Sequence, residues 1–242
     1  NGGFDCVIGN PPWDVSQFSE LEFFEIYSPE IVKLKGTKRK EEILKLKLNN
    51  PYLWEKFQSK KREIECKNNF YKGGRYIFSS LGKINLYQLF AELFLKLIKQ
   101  NGRAGIIVPT GIATDDGSKT YFDEISKNQK IISLYDFENR KGLFPDIHRM
   151  TKFSLLNLGN NPKHTDFAFF INDVSQLSNQ NKHFELTSND IEIINPNTKT
   201  CPIFRSKKDA EIIKNIYKRI PILINDSIGK NGNKWELILK QG

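Results

Sequence analysis

The feature that most constrains the fold of this chain is an alternation of helical and strand patterns between residues 85 and 158. Strands that alternate with helices are typical of α/β proteins with a doubly wound parallel sheet. Apolar residues predict a helix in 85–102 with Gly102 as its C-terminal cap. They also predict a further helix in 118–128 and strands in 103–111, 130–137 and 151–158, the last of which could pair with its predecessor.

A second feature is a short apolar strand pattern in residues 4–9 that runs directly into Asn10, Pro11, Pro12 and Trp13. Proline has no backbone N–H and a fixed φ, and it keeps the preceding residue extended, so this segment cannot join a helix. The glycine before Asn10 would let the backbone pass close to a neighbouring group. Because ligands bind at the carboxyl ends of strands in open α/β sheets, the segment is a candidate site.

The residue types of this segment suit chemistry on an amino group attached to an aromatic base. Such a nitrogen is a poor nucleophile because its lone pair is delocalised into the ring. The Asn10 side-chain oxygen and the Pro11 carbonyl could accept its two hydrogens and direct the lone pair at an electrophilic methyl group. Trp13 offers a flat ring for stacking, which requires the base to leave the duplex.

The segment resembles the catalytic motif of S-adenosylmethionine-dependent DNA N6-adenine methyltransferases of the class in which the cofactor motif comes first. Asn10, Pro11, Pro12 and Trp13 match the Asn-Pro-Pro-aromatic motif one for one, with Trp where Tyr or Phe is more frequent. The later sequence looks most like the methyltransferase half of bifunctional restriction–modification enzymes. The resemblance implies a partial Rossmann-like methyltransferase sheet, S-adenosylmethionine as cofactor and double-stranded DNA as partner. The alternative is a proline-rich turn that ends a strand.

A Phe-Pro pair in residues 142–146 predicts a turn with an apolar tip. In the resembled family, such a pair supplies the second aromatic side of the pocket for the flipped adenine. The resemblance therefore assigns this role to Phe144, opposite Trp13. A lysine that follows the pair in the family is absent here, where Ile147 and His148 stand. The alternative is that Phe144 anchors the loop in an ordinary core.

The resembled class also carries a Phe-x-Gly-x-Gly loop for S-adenosylmethionine and an acidic residue for its ribose, both before the Asn-Pro-Pro motif. Gly102 and Gly105 are no substitute, because they open a predicted strand instead of linking a strand to a helix. We therefore expect a piece of a longer enzyme that is inactive alone, with only Asn10 and Pro11 adjacent to the cofactor. The rest of the parent polypeptide would supply an N-terminal cofactor region and, where present, a nuclease domain.

A basic segment separates the catalytic motif from the first predicted helix. The chain has a net charge of +9, and between Lys33 and Lys72 there are 13 basic and 5 acidic residues. This excess indicates a polyanionic partner, although solvated lysine-rich helices are also common. We expect a helical insertion at about 14–84, with a helix from Pro51 to about residue 66 that Asn50 caps. Candidate contacts to the DNA backbone are Lys38, Arg39, Lys40, Lys60, Lys61 and Arg62.

The cysteines and histidines show no spacing typical of a metal site, so no metal is expected. Cys6, Cys66 and Cys201 are widely dispersed, and an odd count without a signal peptide indicates a reducing cytoplasm. No apolar run reaches the length of a membrane-spanning helix, so no membrane partner is expected.

The C-terminal part resembles the family's junction between its catalytic and target-recognition regions, in residues 195–206 and the helix predicted to follow. Ser206 and Asp209 predict the start of that helix, and Ala210, Ile213 and Ile216 or Tyr217 predict its core-facing stripe. We accordingly expect residues 1–159 to be the C-terminal part of a methyltransferase catalytic domain. Residues 160–242 would be a truncated junction to a recognition region.

Together these patterns predict an adenine-specific DNA methyltransferase of a restriction–modification or phage-defence enzyme. Two alternatives remain open at this point. One is a methyltransferase for another amino nitrogen, such as that of an RNA base or a glutamine side chain. The other is a DNA-binding module without catalytic activity.

Overall fold

The structure is a computed structural model that describes residues 2–162 and 164–238. The chain divides into two compact units. The helical unit comprises Val15–Ile84, and the sheet unit comprises Asn1–Asp14 with Asn85–Gly242.

The strands are β1 (Phe4–Gly9), β2 (Ile98–Pro109), β3 (Ile131–Glu138), β4 (Lys152–Gly159), β5 (Asp166–Ile171) and β6 (Phe184–Glu185). The helices of the helical unit are α1 (Glu20–Tyr27), α2 (Pro29–Lys33), α3 (Thr37–Asn49) and α4 (Pro51–Lys72). Those of the sheet unit are α5 (Leu86–Leu97), α6 (Gly111–Thr114), α7 (Lys119–Lys127), α8 (Ser188–Ile194) and α9 (Lys207–Arg219).

The sheet unit has a mixed α/β architecture around a six-stranded sheet with the order β1-β2-β4-β3-β5-β6. β1 pairs with β2 and β3 pairs with β5 in parallel, whereas β4 lies antiparallel between β2 and β3. β6 pairs antiparallel with β5. The prediction of an α/β fold is confirmed, and the expected pairing of the strand near residues 151–158 with its predecessor is also confirmed. The predicted parallel direction of the strands that alternate with helices is confirmed for β1, β2 and β3, while β4 and β6 run against them.

The predicted helix in 85–102 ends earlier than its apolar pattern indicated. α5 stops at Leu97, and Ile98 has an extended backbone and pairs with Phe4 of β1. Gly102 therefore lies within β2 and is not a helix cap. A Cβ at Gly102 would lie 2.5 Å from the carbonyl oxygen of Phe4, so the close approach of β1 explains the glycine.

The core of the sheet unit lies on the central strands. Val108 of β2, Leu134 of β3 and Leu156 of β4 are 0% exposed. β1 is less protected, because Ile8 is 80% exposed and, among the described residues, β1 pairs with β2 alone. The central position of β2, β3 and β4 gives the loops at their ends a rigid support.

The helical unit has its own aromatic core. Phe23 and Phe24 of α1 and Phe57 of α4 are buried together, with ring centroids 5.1–5.5 Å apart. The Asn50 side chain accepts a hydrogen bond from the Leu53 backbone N–H at 3.1 Å, so the predicted cap of α4 is confirmed. α4 continues to Lys72, beyond the predicted end near residue 66.

The C-terminal helix begins where predicted, since the Ser206 hydroxyl accepts a hydrogen bond from the Asp209 backbone N–H at 3.2 Å. Ala210 is buried and Ile213 is half-buried; of the two alternatives for the end of the stripe, Tyr217 is half-buried, whereas Ile216 is 44% exposed. Within residues 2–162 and 164–238, no helix combines the length and apolarity needed to cross a bilayer.

Candidate functional site

The Asn-Pro-Pro-Trp segment follows the end of β1. Gly9 is the last residue of this strand and pairs with Ile106 of β2. A Cβ at Gly9 would lie 2.9 Å from the Phe94 ring of α5, so the glycine permits the expected close approach. Asn10 is exposed, Pro11 is buried and Pro12 is exposed. In the described part of the chain, the Asn10 side chain forms no hydrogen bond, which leaves its amide oxygen available as an acceptor.

Trp13 is half-buried and packs on a buried cluster of Phe137 of β3, Phe153 of β4, Ala168 and Ile171, which we call the aromatic cluster after its two phenyl rings. These two phenyl rings stack with centroids 5.3 Å apart and planes at 6°. The Nε1 atom of Trp13 is buried and has no hydrogen-bond partner among the described residues. An unpaired buried N–H lowers the free energy of unfolding. The stability of the fold therefore does not explain why this position holds a tryptophan.

Phe144 contacts the same aromatic cluster from the loop between β3 and β4. Its ring meets that of Phe153 edge-on at a centroid distance of 5.1 Å, and the residue is 38% exposed. Trp13 and Phe144 are thus held by a common support, although about 130 residues separate them in the chain.

The loop that carries Phe144 is held by Asn139, which sequence reasoning missed. Asn139 is 0% exposed, and its side chain donates hydrogen bonds to the carbonyl oxygens of Phe144 and Ile147 at 2.9 and 2.8 Å. Its Oδ1 accepts a hydrogen bond from the Phe144 backbone N–H at 3.0 Å. The only sequence signal is a polar residue directly after a strand, which is too common to single out Asn139.

A second group missed from the sequence is a buried carboxyl at the carboxyl ends of β2 and β3. One oxygen of Asp136 accepts hydrogen bonds from the Thr110 hydroxyl and, at 3.0 Å, from the Ser154 hydroxyl. Burial raises the pKa of Asp136 to about 6, although the two hydrogen bonds by themselves lower this pKa. The adjacent Glu138 is also buried, but hydrogen bonds from Arg140 and Lys152 outweigh its burial and hold its pKa below the usual value.

The raised pKa of Asp136 predicts a pH-dependent loss of stability. Between pH 4 and 6 the unfolded chain releases this proton while the folded protein retains it, so the free energy of unfolding falls as pH rises. Asp136→Asn should remove this fall, which is of the order of 3 kcal/mol for a shift from 3.8 to about 6. Urea denaturation of both proteins from pH 4 to 7 measures the difference.

Ser154→Ala serves as the matched control for this prediction. It removes a hydrogen bond that favours the ionised carboxyl, so the fall in stability should extend to higher pH than in the native protein. Parallel pH profiles for the native protein and Asp136→Asn would contradict the assignment of the raised pKa.

The basic residues proposed from the sequence differ in their contacts within the helical unit. Lys60 pairs with Glu63 at 2.9 Å, and the half-buried Arg39 donates to the Leu34 carbonyl oxygen at 2.9 Å. The remaining four are exposed and form no ion pair among the described residues: Lys38, Lys40, Lys61 and Arg62. Of the six proposed cations, these four therefore remain available to a partner.

No metal centre accompanies these groups in the described ranges, 2–162 and 164–238, where no three or more His, Cys, Asp or Glu residues form a cluster suited to a metal ion. The cysteines of the chain are free thiols; Cys6 and Cys66 are exposed and Cys201 is buried.

Among solved structures, the chain is similar to a type I restriction-modification methyltransferase subunit from Streptococcus thermophilus, with 14% identity and a TM-score of 0.33. It is also similar to the type IIG restriction endonuclease BpuSI, with 21% identity and a TM-score of 0.33, and to a type I R-M system structure, with 10% identity and a TM-score of 0.44. These matches cover 62%, 45% and 90% of this chain, which spans 28%, 12% and 42% of the matched chains.

No curated protein sequence matches the chain. A family model does match part of it, from the end of α3 to Phe144 in the loop that follows β3. Residues 49–144 are similar to the Eco57I restriction-modification methylase family.

Proposed function

We propose that this chain carries the catalytic segment of a methyltransferase that transfers a methyl group from S-adenosylmethionine to the N6 amino group of adenine in DNA. The observation that carries the proposal is the common aromatic support of Trp13, which follows Asn10 and Pro11, and Phe144. The match of residues 49–144 to a restriction–modification methylase family supports the same class of enzyme.

In the proposed reaction, Asn10 and Pro11 bind the amino group. The exposed amide oxygen of Asn10 and the carbonyl oxygen of Pro11 each accept one N6 hydrogen, which draws the nitrogen towards tetrahedral geometry. These hydrogen bonds strengthen as positive charge develops on the nitrogen, so they stabilise the transition state more than the bound substrate. The two prolines restrict the backbone and hold both acceptors in place before the base arrives.

The adenine reaches these acceptors only after it leaves the duplex. Trp13 and Phe144 would stack on the extruded base, and their support by the aromatic cluster keeps both rings in position. A rigid pocket of this kind compensates part of the energy needed to unstack and unpair the base.

S-adenosylmethionine would supply the electrophilic methyl group. Gly102 and Gly105 do not fit as its binding loop, because both lie within β2. A Cβ at Gly105 would meet the Asn157 side chain at 3.3 Å, so this glycine accommodates a neighbouring strand. Asn10 and Pro11 would lie beside the transferred methyl group, and we assign no further cofactor contact to this chain.

The proposed partners are double-stranded DNA and the other regions of a restriction–modification or phage-defence enzyme. These regions would be a cofactor region, a target-recognition region after about residue 160 and, where present, a nuclease domain. We place this enzyme in the cytoplasm, where DNA is accessible.

The identity of the methylated product tests this function. The intact protein that carries this sequence would be incubated with duplex DNA and S-adenosylmethionine labelled in its methyl group, and the DNA would be digested to nucleosides. We expect labelled N6-methyldeoxyadenosine by mass spectrometry. Label in RNA or protein in parallel incubations, with none in DNA, would instead identify another amino nitrogen as the acceptor, and no transfer at all would favour a binding module.

The exposed cations predict a salt dependence of DNA binding. Each phosphate contact releases condensed counterions, so neutralising Lys38, Lys40, Lys61 and Arg62 to Gln should reduce the slope of log K against log salt by about 0.9 per contact. Specific and random duplexes should be affected alike, because phosphate contacts carry no sequence information. Fluorescence anisotropy at several salt concentrations measures the slope.

Lys60→Gln is the matched control, because Glu63 already pairs with this ammonium group on the same helix. It should change the slope less than Lys61→Gln does. If the fourfold variant retains the native slope, the four cations form a solvated surface and do not contact DNA.

A further inference from the structure

The loop between β3 and β4 exposes an unusual set of apolar side chains. Leu143, Phe144, Ile147 and Met150 are 37%, 38%, 47% and 78% exposed within a short segment. Apolar side chains that gather on the surface commonly mark a site of interaction. A flexible loop would turn such side chains away from water. Their exposure therefore indicates that hydrogen bonds or packing hold the loop backbone in place.

Asn139 provides that feature from inside the loop. Its two side-chain N–H groups donate to the carbonyl oxygens of Phe144 and Ile147, and its side-chain oxygen accepts from the Phe144 backbone N–H. Its own backbone N–H donates to the Thr151 carbonyl oxygen at 2.9 Å, which closes the base of the loop. A single side chain thus fixes the backbone of Phe144 through both its N–H and its C=O.

No other side chain of similar length offers the same bonds. An asparagine side chain has two donors and one acceptor in a fixed plane, and here each finds a partner. An aspartate would place a carboxylate oxygen against the two carbonyl oxygens, and alanine would leave them without donors. Since the site is 0% exposed, water cannot readily replace the missing bonds.

We propose that Asn139 is a positioning residue that holds the loop, and with it Phe144, in the conformation that receives the target base. Asn139 does not touch the base itself. The binding side of Phe144 is therefore formed before DNA arrives, and little conformational entropy is lost on binding. The functional part of this inference rests on the proposed role of Phe144.

Hydrogen exchange of this chain, followed by mass spectrometry, tests the structural step without any activity assay. In Asn139→Asp, peptides that cover residues 143–150 should exchange at least about tenfold faster than in the native chain, while peptides from the centres of β3 and β4 keep their protection. Asn157→Ala is the matched control, because it removes a side-chain hydrogen bond to Ser133 on the same two strands without touching the loop. Native exchange rates in the loop of Asn139→Asp would overturn the inference.

Asn139→Ala provides a second variant in case the aspartate prevents folding. It lacks the donors and the acceptor but introduces no charge, so the folded protein should show the same local acceleration confined to residues 143–150. Acceleration spread evenly over β3 and β4 in both variants would identify Asn139 as a general stability residue and would overturn its positioning role.

A double-mutant cycle in the intact protein tests the functional step. Asn139→Asp alone should lower kcat/KM and the fluorescence increase of 2-aminopurine at the target position. In a Phe144→Ala background it should cause little further change, because its effect passes through Phe144. Fully additive losses would overturn the inference. If Phe144→Ala itself changes neither quantity, the proposed role of Phe144 fails, whereas the exchange rates still decide whether Asn139 holds the loop.

Discussion

We expect Asn10→Ala in the intact protein to reduce kcat by roughly 10²-fold or more while DNA affinity changes little. The physical reason is that the Asn10 oxygen contributes most when the N6 nitrogen becomes tetrahedral and its hydrogens become more acidic. Asn10 is exposed and forms no side-chain hydrogen bond in the described ranges, so its removal should not disturb the fold. Single-turnover methylation with saturating DNA, together with direct measurement of the dissociation constant, separates the two effects.

Asn10→Asp is the matched variant for this prediction. Its carboxylate retains an acceptor of similar length, so kcat should fall less than in Asn10→Ala. Equal reductions in turnover and in DNA affinity for Asn10→Ala, or a loss of thermal stability, would instead indicate a structural role at the end of β1.

The second large effect concerns the two aromatic residues. Phe144→Ala and Trp13→Ala should each weaken binding of the extruded base by about 1–3 kcal/mol, because each removes one stacking surface. The fluorescence of 2-aminopurine at the target position should fall in both variants. Unchanged fluorescence in both would exclude the two residues from the base pocket.

Trp13→Phe separates stacking from packing in this experiment. It keeps an aromatic ring on the cluster of Phe137 and Phe153 and removes the buried N–H that has no partner among the described residues. We therefore expect Trp13→Phe to bind the base nearly as well as the native protein, without loss of stability. Trp13→Ala also removes a contact with the core, so its free energy of unfolding must be measured beside its fluorescence.

Local signals in the sequence were sufficient for several elements. Asn50 and Ser206 predicted the starts of α4 and α9, because a capping side chain needs only backbone N–H groups within the first turn. The strands β2, β3 and β4 were also predicted, since each is an apolar run of strand length. The sequence does not predict the end of α5. Its apolar pattern continues through Ile98, but Ile98 pairs with Phe4 and therefore lies in a strand.

By itself, the sequence determined the α/β class, the stiff Asn-Pro-Pro-Trp segment and the basic helical segment, because each depends on residues close together in the chain. The resemblance assigned Trp13 and Phe144 to one pocket, but only the tertiary structure decided which groups support them. It inserts β4 between β2 and β3, and this order brings Trp13 and Phe144 to the aromatic cluster of Phe137 and Phe153. It also buries Asp136, which shifts its pKa, since burial depends on every neighbouring strand and not on local spacing.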